Sequence, residues 1–279
     1  MSKNYTILIH CEDDKGLVFK ITDLIYRHGL NITSNREFVD HELRHFFMRT
    51  VVTGQLDTSE LKNELSLVLP KNAHIQISSS KKKKILILAT KEHHVLGDLL
   101  IRHEFDEINA EILGVISNHE ILKPLVNKFD LPFHFVPHEG INRNEHEKNI
   151  SEILGRYSPD YLVLAKYMRI LNPEFVTPFE NRIINIHHSF LPAFIGAKPY
   201  KQAYDRGVKI IGATAHFVNN ALDEGPIITQ STGSVDHTHN EKRMAQLGKE
   251  IESRVLSEAL QLVFEDKVFI YGNKTIILN

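Results

Sequence analysis

Strand-like apolar runs and helical segments alternate along the second half of the chain. Runs at 85–89, 112–116, 133–136 and 161–165 are followed by helical patterns at 96–103, 122–128, 145–156 and 173–179, and the series reaches Ile183-Ile184. Few folds accept this order, because parallel neighbours need a crossover and the crossover is right-handed. The pattern predicts a doubly wound, mostly parallel, Rossmann-like α/β sheet. Such sheets seat ligands beyond the carboxyl ends of their strands, where strand order reverses. The strand ends at Ala165 and His187 are therefore the places to look for a site.

The preceding residues follow another rhythm. Strand 5–10, helix 16–28, strands 32–39 and 45–54, helix 59–69 and strand 74–77 give the βαββαβ order of a ferredoxin-like split unit, with Gly29 placed as a helix C′ glycine. Between the two patterns lies Ser78-Ser-Ser-Lys-Lys-Lys-Lys84, a short polar and basic stretch. It reads as a solvated linker, so the expected domains are 1–80 and 84–279. Beyond the sheet, 240–264 is helical by periodicity, and a hairpin is expected around Gly272-Asn273.

A formal charge of −2, from 33 basic and 35 acidic residues, gives no global attraction to nucleic acid or an anionic membrane. Small-molecule partners are expected. Cys11 is the only cysteine, and neither a signal pattern nor a long apolar span is visible, which points to a reducing, cytoplasmic setting. Seventeen histidines invite a metal reading. His41-Glu42-Leu43-Arg44-His45 even fits H-E-x-x-H, but that site needs a helix and the flanking residues read as two strands of a hairpin. No metal is expected. Residues 90–98 lack a glycine-rich cradle, and no dinucleotide fingerprint or P-loop occurs elsewhere, so no tightly bound cofactor is expected.

The chemistry concentrates between Asn185 and Asp223. Asn185 and His187 are two apart at a strand end and so share a face, while Asp223 stands in the turn Leu-Asp-Glu-Gly-Pro. A carboxamide can donate to a developing oxyanion, an imidazole can move a proton at neutral pH, and a carboxylate can orient a nucleophile. No G-x-S-x-G elbow surrounds any serine, Ser189 included, so direct acyl transfer or hydrolysis fits better than a covalent intermediate. On type and spacing alone, a structural role for these three residues stays open. The same holds for Met168-Arg169-Ile170-Leu171, an apolar loop that suits either ordinary packing or a flat heterocycle.

Two resemblances sharpen these expectations. Asp13-Asp14-Lys15-Gly16-Leu17 and His28-Gly29-Leu30-Asn31-Ile32 resemble the helix boundaries of ACT-type regulatory domains. That resemblance implies a homo-oligomer, a dimer or tetramer, in which the unit either holds an amino-acid effector or serves as a dimerisation wedge without a ligand. Asn185-Ile-His187, the run from Ser189 to Gly196, His216 and Asp223-Glu-Gly-Pro226 resemble the folate-dependent formyltransferase fold. His188 stands where the transferases usually have proline. With the ACT-type unit in front, the whole chain resembles the formyltetrahydrofolate deformylases.

The resemblance implies hydrolysis of 10-formyltetrahydrofolate, the substrate, to tetrahydrofolate and formate, which balances the one-carbon folate pool for purine synthesis. It implies that Asp223, His187 and Asn185 are catalytic, that Met168, Arg169, Ile170 and Leu171 hold the pterin largely through their backbone, and that Ser189 and His216 support them. Formyl transfer to an amine such as glycinamide ribonucleotide, and a non-catalytic folate or amino-acid sensor, are the competing readings. The missing phosphate cradle weighs against the first and the intact Asn/His/Asp set against the second.

Overall fold

A computed structural model describes residues 3–192 and 199–279. The part of the Ser189–Gly196 motif from residue 193 onward lies outside the described residues. The chain forms two compact units. One comprises Met1–Lys81 with Glu265–Phe269 and Ile276–Asn279; the other comprises Lys82–Phe264 with Ile270–Thr275.

The first unit is built from β1 (Lys3–Glu12), α1 (Leu17–Arg27), β2 (Asn31–Asp40), β3 (His45–Gly54), α2 (Thr58–Val68) and β4 (His74–Ser79), with sheet order β2-β3-β1-β4. This is the expected βαββαβ sandwich. Leu17, Ile21, Leu24 and Ile25 make the buried stripe of α1, which meets Ile7, Ile9, Phe46 and Met48 of the sheet in one core. Gly29 follows α1 with φ +67°, the left-handed conformation that a C′ glycine takes without strain. Asp57 caps α2 by accepting the Ser59 and Glu60 N–H groups. His41, Glu42, Leu43 and Arg44 form the β2–β3 turn, with Asp40 accepting the Glu42 and Leu43 amides, so the H-E-x-x-H letters span a hairpin and not a helix.

The second unit contains β5 (Lys83–Ala89), α3 (His94–Glu104), β6 (Ala110–Ser117), α4 (Lys123–Val126), β7 (Phe133–Phe135), α5 (Arg143–Tyr157), β8 (Tyr161–Ala165), α6 (Pro173–Val176), β9 (Ile183–His187), α7 (Pro199–Arg206), β10 (Ile210–Phe217), β11 (Ile227–Ser234) and α8 (Glu241–Phe264). A two-stranded hairpin, β12 (Val268–Tyr271) and β13 (Lys274–Ile277), follows. The helix expected at 122–128 is broken into a short α-helix between 3-10 turns, with Pro124 at its start. Helix α7, only eight residues long, had no sequence expectation.

The sheet order is β11-β10-β9-β8-β5-β6-β7. Strands β7, β6, β5, β8 and β9 run parallel, whereas β10 and β11 are antiparallel to their neighbours. From β5 the chain steps outward through β6 and β7 and then returns to the other side of β5 as β8. Strand order therefore reverses between β5 and β8, which opens a crevice at their carboxyl ends. Residues 85–89 and 162–165 are buried throughout, as strands covered by helices on both faces must be.

Candidate active site

Strand β9 carries Asn185 and His187 past the crevice, and the antiparallel return of β10 places His216 opposite Asn185 and Thr214 opposite His187. The register converts sequence distance into contact. The Asn185 amide nitrogen lies 3.2 Å from His216 Nε2, and His216 Nδ1 lies 2.9 Å from the Phe217 carbonyl. A carbonyl only accepts, so Nδ1 carries the proton and Nε2 is left to accept from the Asn185 amide. Burial pulls His216 below the ordinary histidine range, which favours this neutral ring.

The turn after β10 brings in the carboxylate. Phe217 N–H donates to the Pro226 carbonyl at 2.9 Å, closing residues 218–225 into a compact loop. At Gly225 an added Cβ would lie 1.8 Å from the Phe217 carbonyl oxygen, so only glycine permits this closure. Asp223 adopts φ +58°, and Asn273 in the β12–β13 turn donates to the Glu224 carbonyl at 3.0 Å. Asp223 Oδ1 then stands 3.3 Å from His187 Nδ1 and 3.8 Å from His216 Nε2. Burial alone would raise this carboxyl, but the hydrogen bond from His187 and the surrounding imidazoles hold it below the usual carboxylate range.

His187 is 6% exposed, and its Nε2 has no hydrogen-bond partner among the described residues. Nδ1 is turned to Asp223, the arrangement by which a carboxylate orients a histidine and fixes which ring nitrogen stays unengaged. The His188 ring stacks on His187 at 4.9 Å between centroids.

These groups line a cavity of about 390 Å³ that also includes Met168, Arg169, Ile170 and Leu171. Met168 and Ile170 are 60% and 49% exposed, so simple packing beneath a helix accounts only for Leu171, which joins the core. The loop is tied at both ends: Met168 N–H donates to Thr90 Oγ1 at 2.9 Å, and Asn172 N–H donates to Glu147 Oε1 at 3.0 Å. Glu147, a charged residue in the helix α5 pattern, is buried, and its desolvation raises its pKa. The fixed backbone and apolar rim suit a flat, polar-edged ring. Ser189 lies buried beside the site, its carbonyl accepting from Thr214 Oγ1 at 2.9 Å, and is not part of the cavity wall.

The sequence carries no signal for the parts played by Thr90 and Glu147, which act through contacts with remote segments. Gly225 lies within the Asp-Glu-Gly-Pro motif, and Asn273 within the expected hairpin turn, but the contact of Asn273 with Glu224 shows only in the fold. Among the described residues, no group of three or more His, Cys, Asp or Glu side chains is arranged to hold a metal ion, and no helix is long and apolar enough to cross a membrane.

Two family models match the chain: formyl transferase over residues 83–260 and ACT domain over residues 5–66. The chain is 53% identical to a formyltetrahydrofolate deformylase of Haemophilus influenzae over the whole of both chains. A crystal structure of a formyltetrahydrofolate deformylase from Pseudomonas syringae pv. tomato superposes with a TM-score of 0.95 at 36% identity, covering 100% of this chain and 95% of that one. Glycinamide ribonucleotide transformylase 1 from Symbiobacterium toebii matches with a TM-score of 0.69 at 29% identity, covering 74% of this chain and 98% of its own.

Proposed function

The chain belongs to the formyltetrahydrofolate deformylase family, and we propose that it hydrolyses 10-formyltetrahydrofolate to tetrahydrofolate and formate with Asn185, His187 and Asp223 as its catalytic set. One observation carries the assignment of roles: His187 lines the cavity with its Nδ1 held by Asp223, while its Nε2 has no hydrogen-bond partner among the described residues.

In this reading the pterin lies along residues 168–171 and the N10 formyl group reaches the end of β9. Asp223 stays ionised at neutral pH and orients a water against the formyl carbon. As the water attacks, its proton becomes acidic and passes to the carboxylate. The Asn185 amide spends one N–H on His216 and keeps the other for the developing oxyanion. His187 donates through Nε2 to the same charge and delivers that proton to N10 as the C–N bond breaks, and the proton taken up by Asp223 then passes to the adjacent His187, which restores both groups. Formate and tetrahydrofolate leave. Ser189 and His216 are supports, His216 by fixing the Asn185 amide.

We take residues 1–80 as the regulatory and oligomerisation domain and 84–279 as the catalytic domain of a cytoplasmic homo-oligomer. A cavity of about 580 Å³ in the first unit, lined by Asp13, Asp14, Gly16 and Glu37 among others, supports a small effector there, and an amino acid is the ligand we assign. Titration calorimetry with the twenty amino acids tests that part.

The activity is tested by incubating purified protein with 10-formyltetrahydrofolate alone and following both products. Stoichiometric formate and tetrahydrofolate are expected without any acceptor. Turnover that begins only when an amine is added would make the chain a transferase instead.

A further inference from the structure

The most deeply buried charge cluster outside the proposed catalytic set centres on Glu252 of α8. Glu252 is 1% exposed and receives the Lys166 ammonium at 3.1 Å, His94 Nε2 at 2.7 Å and the Tyr200 hydroxyl at 2.5 Å. Burial would raise this carboxyl strongly, yet these donors hold it down to about 2. A carboxylate in the interior is tolerated only when so fully paired. The donors come from three separate segments: the start of α3, the first residue after β8, and α7.

Two locally unfavourable choices serve this convergence. Lys166 adopts φ +60°, a left-handed conformation that costs a residue with a Cβ. Gly248 lies inside the 24-residue α8, one turn before Glu252, where glycine weakens a helix. A Cβ at Gly248 would lie 2.1 Å from the Tyr200 hydroxyl oxygen, so the missing side chain is the space that Tyr200 uses to reach Glu252. Local preference has been overruled twice around one carboxylate.

Lys166 is also the root of the loop that lines the proposed folate cavity. We infer that Glu252 is a positioning residue for the substrate: through the Lys166 ammonium it fixes the backbone at the start of residues 166–171, and so governs folate binding without touching the reacting atoms. The inference rests on the reading that this loop holds the pterin. Glu252 belongs to α8, and no sequence motif connects it to the cavity.

The test compares steady-state hydrolysis of 10-formyltetrahydrofolate, together with thermal melting, in Glu252→Gln, the double variant Glu252→Gln/Lys166→Met, and Tyr200→Phe. Glu252→Gln should raise KM about tenfold or more and leave kcat within about threefold. The double variant removes both charges, so it should recover thermal stability while KM stays high, because nothing then draws Lys166's backbone into place. A purely structural ion pair would instead recover KM and stability together, and that result overturns the inference. Tyr200→Phe deletes one donor without changing packing and provides the mildest background; KM is expected to rise about threefold at unchanged kcat. Wild-type KM in Tyr200→Phe and in whichever charge variants fold, or a fall in kcat that matches the rise in KM, also overturns it. Wild-type protein that leaves 10-formyltetrahydrofolate intact would refute the folate reading itself, a separate result.

Discussion

His216 and Asn185 face each other across β10 and β9, and the imidazole accepts the amide's N–H through Nε2 because its Nδ1 proton is committed to the Phe217 carbonyl. One backbone carbonyl thus decides which way the Asn185 amide points. If His216 gained a second proton, Nε2 would become a donor, and the amide would have to turn its oxygen toward it and its N–H groups away from the proposed oxyanion position.

Because burial lowers the His216 pKa, the neutral form with the proton on Nδ1 should persist through pH 6.5 and titrate only below the ordinary histidine range. Nitrogen-15 NMR of histidine-labelled protein reads the tautomer directly. A proton found on Nε2, or a titration at or above pH 6.5, contradicts the assignment.

Asp223→Asn should remove nearly all turnover, by about 10³-fold or more, while folate affinity changes only a few-fold. The carboxylate's proposed work is done as water attacks, and losses confined to the transition state appear in kcat and not in binding. Tetrahydrofolate affinity by calorimetry, measured beside kcat, separates this outcome from a collapse of the turn, which would lower both.

Gly225→Ala should be nearly as damaging without touching any reactive group. Its methyl would overlap the Phe217 carbonyl oxygen, so the 218–225 loop must open and carry Asp223 away from His187. A stability loss of about 3 kcal/mol is expected, in the range of backbone conflicts at special positions, with kcat down at least about 100-fold. Wild-type melting and turnover would show that the loop has slack.

The first unit should weaken in acid. His10 stacks on His74 with centroids 4.6 Å apart and lies 2.9 Å from the His45 ring nitrogen. Burial first, and then His74 and His45, depress the His10 pKa to about 4. A depressed folded-state pKa means that the unfolded chain binds the proton more readily. The resulting stability is complete above pH 6.5 and is lost as pH falls toward 4, by about 2 kcal/mol after allowance for partial exposure. The urea midpoint should fall between pH 7 and pH 4.5, and His10→Phe should flatten that dependence.

Much of this architecture was legible in the order of residues because its causes are local. Strand runs such as 161–165 and helix stops such as Gly29 express period, burial and backbone freedom within a few residues of themselves. The pairing of Asn185 with His187 on one strand face follows from the two-residue repeat alone. The motif from Asn185 to Pro226 points to the proposed site through its resemblance to the formyltransferase fold, since on residue type alone a structural role stayed open.

Distances were another matter. That His216 turns the Asn185 amide, that Gly225 and Asn273 hold the Asp223 turn, and that Thr90, Glu147 and Glu252 brace a loop far from them in sequence follow only from strand order and register. Sequence by itself determined which side chains could do the chemistry and which faces they occupy, since these depend on neighbouring residues. Only the tertiary structure decided which atoms meet, because a contact between remote segments is set by how whole elements pack, and no residue encodes that alone.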